Sequence, residues 1–407
     1  MKKLTTFAIG MTLALASCSN DNDVTDNSRH EINLPPAQSE IVTSQISMAF
    51  DMLRYFHAKS GNDNFMVSPL SAQFALGMLM NGADGNTLAQ LTDALGVTSV
   101  SELNSLNKLL MSELPKADRK TTFQSANSIW LRKEFNVLPS FSLAMTDIYN
   151  AEATSLDLTS FEAVERINRW CSDRTKGMIK ETLKEPCSDE TVFLLINALY
   201  FKGEWEDSFK KSDTTDKEFR NSDGTKSMVP TMCDSNHLIS YGNYPDYSVA
   251  SLAYGNGTYT MTIILPEENR SLESVIEDFD LQSWNDCKSR LSKFECSVEL
   301  PKFKIESNLA VDDFLKSLGV EDAFNPFKAD FSKLSDTQTF VSKAKQLTSI
   351  DVDEKGTEAS AVTIIQGEFT AVGPGPQLNF HVDRPFAFMI EESSTGAILF
   401  AGCVNRL

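Results

Sequence analysis

The chain has 407 residues, with 56 Asp and Glu against 37 Lys and Arg, and so carries a formal net charge of −19. That charge disfavours nucleic acid as a partner, because binding to phosphates requires a basic surface, and it fits a soluble protein outside the cell. No apolar run of about 20 residues occurs beyond the N-terminal segment, which disfavours a transmembrane helix in the body of the chain.

The first 17 residues are typical of an export signal. A positive start, Lys2-Lys3, precedes an apolar stretch at 4–16 that is too short to span a membrane. Cys18 then follows Leu15-Ala16-Ser17, which is similar to the lipobox of bacterial lipoproteins, where cleavage leaves a lipidated N-terminal cysteine. We therefore predict a lipoprotein signal peptide at 1–17 and lipidation of Cys18. A plain secretory signal is the alternative.

Residues 18–38 are polar, carry Pro35-Pro36 and predict a flexible tether. Their acidic start, 19–23, resembles the surface-export tag of Bacteroidetes lipoproteins. We expect an exported lipoprotein of the outer membrane, exposed at the cell surface, that contacts the membrane only through its lipid. A secreted or periplasmic protein is the alternative. No later linker divides the chain, so we predict one large domain at 39–407.

The first elements of this domain are predicted from apolar spacing and capping signals. Helical periodicity predicts a helix from Ile41 to Phe56. Phe65–Val67 predicts a short strand. Ser68-Pro69 then begins a second helix, with a serine cap and a proline at the first helical position. That helix is expected to run to about Met80 and to stop at Asn81-Gly82.

An almost unbroken apolar run from Thr191 to Phe201 predicts a strand that is buried on both faces. Asn197 within it must find partners, because an unpaired buried amide costs on the order of 1–3 kcal/mol. Helices early and strands late place the chain in the α+β class. Further strands are expected at 125–131, 258–265, 297–305, 385–391 and 397–404, and further helices at 161–176 and 311–318.

The seven cysteines, at positions 18, 171, 187, 233, 287, 296 and 403, include no C-x-x-C pair. The four histidines do not cluster with them in sequence, so the spacing disfavours a structural zinc site. We expect no metal and no cofactor. Buried free thiols are the favoured state of the last six cysteines, although the sequence leaves disulfides among them open.

The motifs of common enzymes do not occur. There is no G-x-S-x-G elbow, no zinc-protease helix and no glycine-rich nucleotide loop. Two acidic pairs, Glu267-Glu268 and Glu391-Glu392, are adjacent in sequence. Because neighbouring side chains diverge, we interpret both pairs as solvated surface rather than as paired catalytic carboxylates. The sequence therefore argues against an enzyme.

The most unusual stretch of the chain runs from Ile350 to Pro376. From Thr357 onward its residues are small or β-branched, and neither charge nor proline interrupts 359–365, so this part is compatible with a central strand. The run 373–376, Gly-Pro-Gly-Pro, cannot continue a ladder. On pattern alone, an ordinary buried strand followed by a loop explains the stretch.

Seven segments in one order resemble the serpins. They are N-F-M-V-S-P-L-S-A-Q-F-A-L-G-M-L (64–79), I-N-A-L-Y-F-K-G-E-W (196–205), L-P-K-F-K-I (300–305), L-G-V-E-D-A-F (318–324), D-E-K-G-T-E-A-S-A-V-T (353–363), D-R-P-F-A-F (383–388) and I-L-F-A-G-C-V (398–404). The resemblance covers about residue 40 to the C-terminus. It implies a serpin fold with three β-sheets, about nine helices and an exposed reactive-centre loop.

The resemblance also implies a mechanism. A protease cuts the loop and forms an acyl-enzyme, and the hinge side of the loop then inserts as a new central strand, so that the tethered protease is distorted before hydrolysis ends. The hinge residues that match the family are Glu354, Gly356, Thr357, Glu358, Ala359, Ser360 and Ala361. Their uncharged inward face favours a suicide-substrate inhibitor of serine or papain-like cysteine proteases. A non-inhibitory serpin-fold binding protein is the alternative.

The family places the cut bond about 17 residues from the hinge glutamate, which implies Thr370–Ala371 as the reactive bond and Phe369–Thr370 as the alternative. Thr370 before the bond suits elastase-like or subtilisin-like proteases, and Phe369 one position earlier also suits papain-like enzymes. A cut after Phe369 makes chymotrypsin-like enzymes the second choice. No Arg or Lys lies nearby, which disfavours trypsin-like targets. We expect a monomer.

The resemblance assigns a polar cluster beneath the opening point of the main sheet to Ser68, Ser71 and Asn197, and the point of strand entry to Trp205. Gln346 stands where the family usually has a histidine. A glutamine still donates and accepts hydrogen bonds. Since it cannot become charged, we expect sheet opening to depend less on pH.

Overall fold

The computed structural model describes residues 27–177, 180–189, 191–357 and 378–407. Within these ranges the chain forms nine α-helices. They are α1 Pro36–Ser60, α2 Pro69–Gly82, α3 Gly85–Leu95, α4 Val100–Glu113, α5 Pro139–Tyr149, α6 Phe161–Arg174, α7 Leu272–Asp278, α8 Leu281–Arg290 and α9 Asp312–Ser317. Among the described helices, none combines the length and the apolar character that crossing a membrane requires.

Fifteen strands in the same ranges form two hydrogen-bonded sheets. They are β1 Phe65–Val67, β2 Thr121–Arg132, β3 Glu152–Leu156, β4 Phe193–Glu204, β5 Thr215–Arg220, β6 Lys226–Asn243, β7 Tyr247–Tyr254, β8 Tyr259–Pro266, β9 Ser292–Pro301, β10 Phe303–Ala310, β11 Lys343–Asp353, β12 Gly356–Thr357, β13 Leu378–His381, β14 Phe386–Glu392 and β15 Ile398–Val404.

The six-stranded sheet has the strand order β10-β11-β12-β4-β2-β3. Its strand β4 contains the apolar run that was predicted to be buried on both faces, and every residue from Phe193 to Phe201 is buried. Strands β11 and β4 run parallel and pair from Lys343 with Leu194 to Thr348 with Leu199. Beyond that point the two strands part, and the two-residue strand β12 lies between them.

The nine-stranded sheet has the order β1-β15-β14-β8-β7-β6-β9-β13, with β5 added on β6. Strand β6 pairs with β5 along its first half and with β7 along its second half. A bulge between Asp234 and His237 separates the two halves. The nine-stranded ladder therefore comprises two of the three predicted sheets, joined where β6 bends. With nine helices in the described ranges, the predicted α+β architecture is confirmed.

The second helix begins where the sequence predicted. The Ser68 hydroxyl accepts a hydrogen bond from the Ser71 N–H at 3.2 Å, and Pro69 occupies the first turn. The strand predicted at 297–305 is wrong as a single element, because β9 ends at Pro301 and β10 begins at Phe303. Pro301 has no N–H to continue the ladder, which explains the break.

The boundary predicted between the tether and the domain, at 38, falls inside α1. The helix begins at Pro36, since a proline at the first helical position lacks only an N–H that would have no helical partner. Earlier residues also contact the domain: Ile32 is buried and its N–H donates to the Ser394 hydroxyl at 2.9 Å. The Asn27 amide donates to Asp118 at 3.0 Å. Residues 27 and 32 of the predicted tether thus contact the fold, although most residues from 28 to 37 are exposed.

The interpretation of Glu391 and Glu392 as solvated surface is wrong, because both side chains are buried. Glu391 forms an ion pair with Lys288 and accepts a hydrogen bond from the Thr260 hydroxyl at 3.0 Å. Glu392 accepts hydrogen bonds from the backbone N–H and the hydroxyl groups of the turn that follows it. Hydrogen-bond donors from two different parts of the fold replace the water that each carboxylate loses on burial. The alternation of neighbouring side chains does not predict these donors.

The six cysteines in the described ranges are free thiols, as predicted. Four of them are buried and two are half-buried, Cys187 and Cys233. Burial raises the pKa of Cys171 to about 11, so this thiol stays protonated and unreactive at neutral pH.

Candidate functional site: the hinge and the sheet opening

The hinge is the segment from Asp353 to Thr357, and its last two residues already belong to the six-stranded sheet. Gly356 pairs with Glu204 of β4 on one side and with Asp353 of β11 on the other. Thr357 pairs with Gly203 and Val352 in the same way. These two residues therefore occupy the first two positions of a strand between β11 and β4.

Thr357 is fully buried, and its hydroxyl shares a hydrogen bond of 2.8 Å with the hydroxyl of Tyr254. Burial raises the pKa of Tyr254 well above its ordinary value, so the phenol remains a neutral hydroxyl. The ring of Tyr254 in turn stacks on Trp205, with ring centroids 4.4 Å apart. The inward-facing side chain of the hinge thus has a prepared, aromatic-lined site.

Gly356 requires glycine for two reasons that the structure makes explicit. Its φ is +144°, which side chains rarely tolerate, and a Cβ atom there would lie 2.0 Å from the carbonyl oxygen of Gly203. The Cα of Glu204 would be 2.8 Å from the same atom. The close approach of backbone to backbone is what lets β12 enter the gap between its neighbours.

Three consecutive carbonyl groups hold the start of the hinge to the segment that follows β4. The indole N–H of Trp205 donates to the Asp353 carbonyl at 3.0 Å, and its backbone N–H donates to the Lys355 carbonyl at 2.8 Å. The Phe209 N–H donates to the Glu354 carbonyl at 2.9 Å. Residues 205–209, named here the hinge support, therefore determine where the hinge lies.

The side chain of Glu354 is buried and has two donors. Lys302 approaches one carboxylate oxygen at 2.9 Å, and the hydroxyl of Thr214 donates to the other at 2.8 Å. Burial by itself raises the pKa of Glu354, but the hydrogen bonds from Lys302 and Thr214 and the positive charge of Lys302 outweigh it and hold the pKa below its ordinary value. The carboxylate is therefore charged at neutral pH and links the hinge to Lys302, which lies between β9 and β10.

The predicted polar cluster lies further down the sheet, where β11 and β4 are still paired. Gln346 accepts a hydrogen bond from the Ser68 N–H and donates one to the Ser68 carbonyl, both at 2.7 Å. The Ser68 hydroxyl donates to the carbonyl of Leu399 at 2.6 Å. The Ser71 hydroxyl contacts the amide oxygen of Asn197. All of these side chains are buried.

Asn127 completes this cluster and was not identified from the sequence. The amide of Asn197 donates to the Asn127 side-chain oxygen, and Asn127 donates to the Tyr149 carbonyl at 2.9 Å. The prediction that Asn197 must find partners is thus confirmed. An asparagine inside the predicted strand 125–131 was the available signal, because a polar residue in a buried strand needs a buried partner.

The structure brings the predicted residues into two groups. Glu354, Gly356, Thr357 and Trp205 meet at the parted end of the sheet, and Ser68, Ser71, Asn197 and Gln346 meet beneath its closed part. The remaining predicted site residues lie outside the described ones: Cys18, Glu358, Ala359, Ser360, Ala361, Phe369, Thr370 and Ala371.

The backbone groups at the parted end of the six-stranded sheet can pair with an additional strand between β11 and β4. Parting β11 from β4 below Thr348 breaks a parallel ladder, in which pairing is slightly weaker per residue than in an antiparallel one. The gap above it already holds β12. A longer segment that continues from Thr357 would restore hydrogen bonds to both edges. The fold and site define a class of protein whose main sheet has room for one more central strand.

Comparisons with known proteins give the family. The family model described as Serpin (serine protease inhibitor) matches residues 43–407, and the chain belongs to the serpin family. It is 33% identical to leukocyte elastase inhibitor A of Rattus norvegicus over 367 residues, covering 88% of this chain and 96% of that protein.

Two solved structures share its fold. The native state of the thermophilic serpin tengpin matches with a TM-score of 0.83 and 32% identity, over 94% of this chain and 97% of that one. Human thyroxine-binding globulin matches with a TM-score of 0.83 and 25% identity, over 91% and 99% of the two chains. The serpin family was therefore identified correctly from its motifs. The family model is described as a serine protease inhibitor, and the similar rat protein is named an elastase inhibitor.

Proposed function

We propose that this serpin is a suicide-substrate inhibitor that traps a protease as a covalent acyl-enzyme by inserting its cleaved reactive-centre loop into the six-stranded sheet. One observation carries the proposal. Gly356 and Thr357 already lie between β11 and β4 as the first residues of an inserted strand. Continued insertion extends an existing strand and needs no new nucleus in the sheet.

The energy for trapping comes from pairing that the intact loop cannot complete. The loop residues 358–377 join Thr357, in the six-stranded sheet, to Leu378, which pairs with β9 in the other sheet. Both ends are therefore anchored. An inserted strand of about 16 residues spans roughly 50 Å at 3.3 Å per residue. If each new hydrogen bond nets about 1 kcal/mol, insertion gains on the order of 10 kcal/mol, which is comparable to the whole stability of a typical domain.

For the target, we propose elastase-like or subtilisin-like serine proteases and papain-like cysteine proteases, with chymotrypsin-like enzymes second. The reactive bond is proposed as Thr370–Ala371, with Phe369–Thr370 as the alternative. A small or β-branched residue before the bond suits a shallow pocket, and the similar rat protein is named an elastase inhibitor. The bond itself lies outside the described residues.

The test is to mix the full chain with one protease of each class and to run a denaturing gel. A stable adduct with the mass of the protease plus the chain up to Thr370, together with release of the peptide that begins at Ala371, is the expected result. Clean cleavage of the loop without an adduct would overturn the proposal and favour a non-inhibitory serpin-fold binding protein. A catalytically inactive protease variant is the control, since it forms no acyl-enzyme and must give no adduct.

We also propose that the inhibitor acts as a monomer at the cell surface, exported by residues 1–17 and anchored through a lipid on Cys18, both outside the described residues. Mass spectrometry of the mature protein tests the anchor. The expected mass is that of a chain that begins at Cys18 and carries two or three acyl chains on it. Cys18→Ala must abolish that mass and release the protein from the membrane fraction. A mature chain without acyl groups, whose first residue is not Cys18, would contradict the lipid anchor and indicate a plain secretory signal peptide.

A further inference from the structure

A side-chain cluster at the hinge support takes no part in the hydrogen bonds that hold the hinge. It consists of Asp207, Asp234 and His237, whose ligand-type atoms all lie within 4.8 Å of one another. Asp207 belongs to the hinge support, between Trp205 and Phe209. Asp234 and His237 flank the bulge of β6, so the cluster joins two elements that are distant in sequence.

His237 is held as a metal-ligating histidine would be. Its side chain is buried, and its ring stacks on Phe209 with centroids 4.4 Å apart and planes 8° apart. Its Nδ1 atom points at two carboxylates at once, with Asp234 Oδ2 at 3.3 Å and Asp207 Oδ2 at 3.7 Å. Phe209 thus fixes the ring, and the two carboxylates converge on one nitrogen.

The second ligand is also oriented in advance. Asp234 Oδ1 accepts a hydrogen bond from the Asn236 N–H at 3.0 Å, which leaves Oδ2 directed toward His237. Asp207 is exposed and adjusts freely.

The 3.3 Å between His237 Nδ1 and Asp234 Oδ2 fits two ligands of one small metal ion as well as it fits a long hydrogen bond. Asp207 Oδ2 lies 3.7 Å from the same nitrogen, which is beyond hydrogen-bond range. Two ligands about 2.0–2.1 Å from a tetrahedral metal stand about 3.3–3.5 Å apart. Imidazole with two carboxylates suits Zn²⁺, whereas Mg²⁺ and Ca²⁺ prefer oxygen ligands alone.

We propose that Asp207, Asp234 and His237 form a divalent-cation site of the Zn²⁺ class, with a fourth position open to solvent, that ties the hinge support to β6. Because Asp207 lies between the two residues whose N–H groups hold the hinge, a bound ion stiffens the segment that carries the hydrogen bonds to Glu354 and Lys355. The site is independent of whether the chain traps a protease, since neither its ligands nor its test involves the reactive bond.

Calorimetric titration of the full chain with Zn²⁺, in buffer free of chelators, tests the site. Saturable binding of one ion is expected. Loss of a residue that hydrogen-bonds to a metal ligand already weakens metal binding by about 10- to 100-fold. Loss of a ligand itself, through Asp207→Asn or Asp207→Ala, must therefore weaken binding by at least about tenfold. Because Asp207 is exposed, neither variant threatens the fold. Binding that both variants leave unchanged would place the ion elsewhere and overturn the proposal.

Two matched controls separate this site from general charge effects. Glu206→Gln removes the same charge from the same exposed segment and must leave the affinity unchanged. His381→Gln removes another histidine that faces a single carboxylate, Glu299, at 3.9 Å, and must also leave it unchanged. A tenfold loss in either control would contradict the assignment. Co²⁺ in place of Zn²⁺ is expected to give the strong visible absorption of a tetrahedral site in the unmodified chain and to lose it in Asp207→Ala.

A separate measurement tests whether the bound ion stiffens the hinge support. Amide hydrogen exchange at Trp205 and Phe209 is expected to slow when Zn²⁺ is added to the unmodified chain and to stay unchanged in Asp207→Ala. Binding of Zn²⁺ with no change in the exchange of either amide would overturn the proposed coupling to the hinge.

Discussion

Gln346 binds Ser68 through both main-chain polar groups of the serine, accepting from its N–H and donating to its carbonyl oxygen at 2.7 Å in each case. Ser68 is the cap of α2, and Gln346 lies on β11 opposite Asn197 of β4. The side-chain amide therefore links β11, the strand that the proposed insertion would part from β4, to the N-terminus of α2. Both partners are buried, so each hydrogen bond has no competing water.

This geometry predicts a pH-dependent variant. A neutral histidine in Gln346→His offers one donor and one acceptor, but a protonated one cannot accept from the Ser68 N–H. A histidine that must be neutral in the fold has a folded pKa below its unfolded value, so stability falls as pH falls below about 6.5. We expect the melting temperature of Gln346→His to decrease from about pH 7 to about pH 5, across the ordinary pKa of histidine. The unmodified chain should lose less over that window, because among its described residues only His57, whose pKa is lowered by burial, makes the same kind of contribution there. An equal decrease in both proteins would contradict the idea.

Glu354 predicts a different acid dependence. Its folded pKa lies below the ordinary value, so the stability it contributes is complete above its unfolded pKa and is lost as pH falls through the folded pKa. Glu354→Gln should lower the free energy of unfolding at neutral pH by roughly 1–3 kcal/mol, because Lys302 and Thr214 lose a charged partner. The difference between the two proteins should shrink toward zero at low pH.

Urea unfolding of both proteins from about pH 7 down to about pH 3, below the ordinary pKa of Glu, measures that difference. Lys302→Met is the matched partner variant, and a double variant should cost less than the sum of the two single changes. A difference that stays constant across the pH range would show that Glu354 acts through packing rather than through its charge.

Gly356→Ala should expel β12 from the sheet. A Cβ atom 2.0 Å from the Gly203 carbonyl oxygen meets backbone rather than a flexible side chain, so no small adjustment relieves it. Backbone strain of this kind costs roughly 1–3 kcal/mol. We expect faster hydrogen exchange at Thr357 and new proteolytic cleavage near Lys355. Gly224→Ala, at a turn with open space around the Cβ position, is the control for a glycine of positive φ.

Thr357→Arg should leave cleavage of the loop by a protease intact but prevent insertion of the cleaved loop into the six-stranded sheet. The Thr357 side chain is fully buried against Tyr254, so an arginine there would bring a charge into the sheet without a partner. Nicking of the loop in the unmodified chain should raise the melting temperature by on the order of 10–20 °C, given a gain of about 10 kcal/mol. The variant should show no such rise and should be cleaved without forming an adduct.

Thr357→Ser keeps the hydroxyl and the small size, and should behave as the unmodified chain does. A nicked Thr357→Arg protein that gains the full increase in melting temperature would mean that insertion does not pass through this position. If the unmodified chain itself gains nothing on nicking, no strand has been added and the inhibitory mechanism fails.

Some features of the site were predictable because their signals are local. The hinge was predicted from the resemblance of 353–363 to the serpin hinge, and α2 was predicted from the Ser68-Pro69 start. Strand β4 was predicted from its apolar run, and Asn197 was expected to have partners because a buried amide without one is costly. Each of these signals lies within a few neighbouring residues.

Other features depend on which distant residues meet. Asn127 faces Asn197 because β2 and β4 pair in one particular register. The burial of Glu391 depends on Lys288 of α8 lying beside it, and local alternation predicted the opposite. The cation site joins Asp207, after β4, to a bulge in β6, and the histidine and cysteine spacing disfavoured any metal.

By itself, the sequence determined the family through its motifs, the α+β class, the buried central strand and the position of the segment that resembles the serpin hinge. Only the tertiary structure decided that β12 already lies between β11 and β4, that Gly203 excludes any side chain at Gly356, and that the hinge support also carries Asp207. The reason is physical. Propensity and periodicity act through neighbours along the chain, whereas strand register and the pairing of buried polar groups are contacts between segments that only the folded chain brings together.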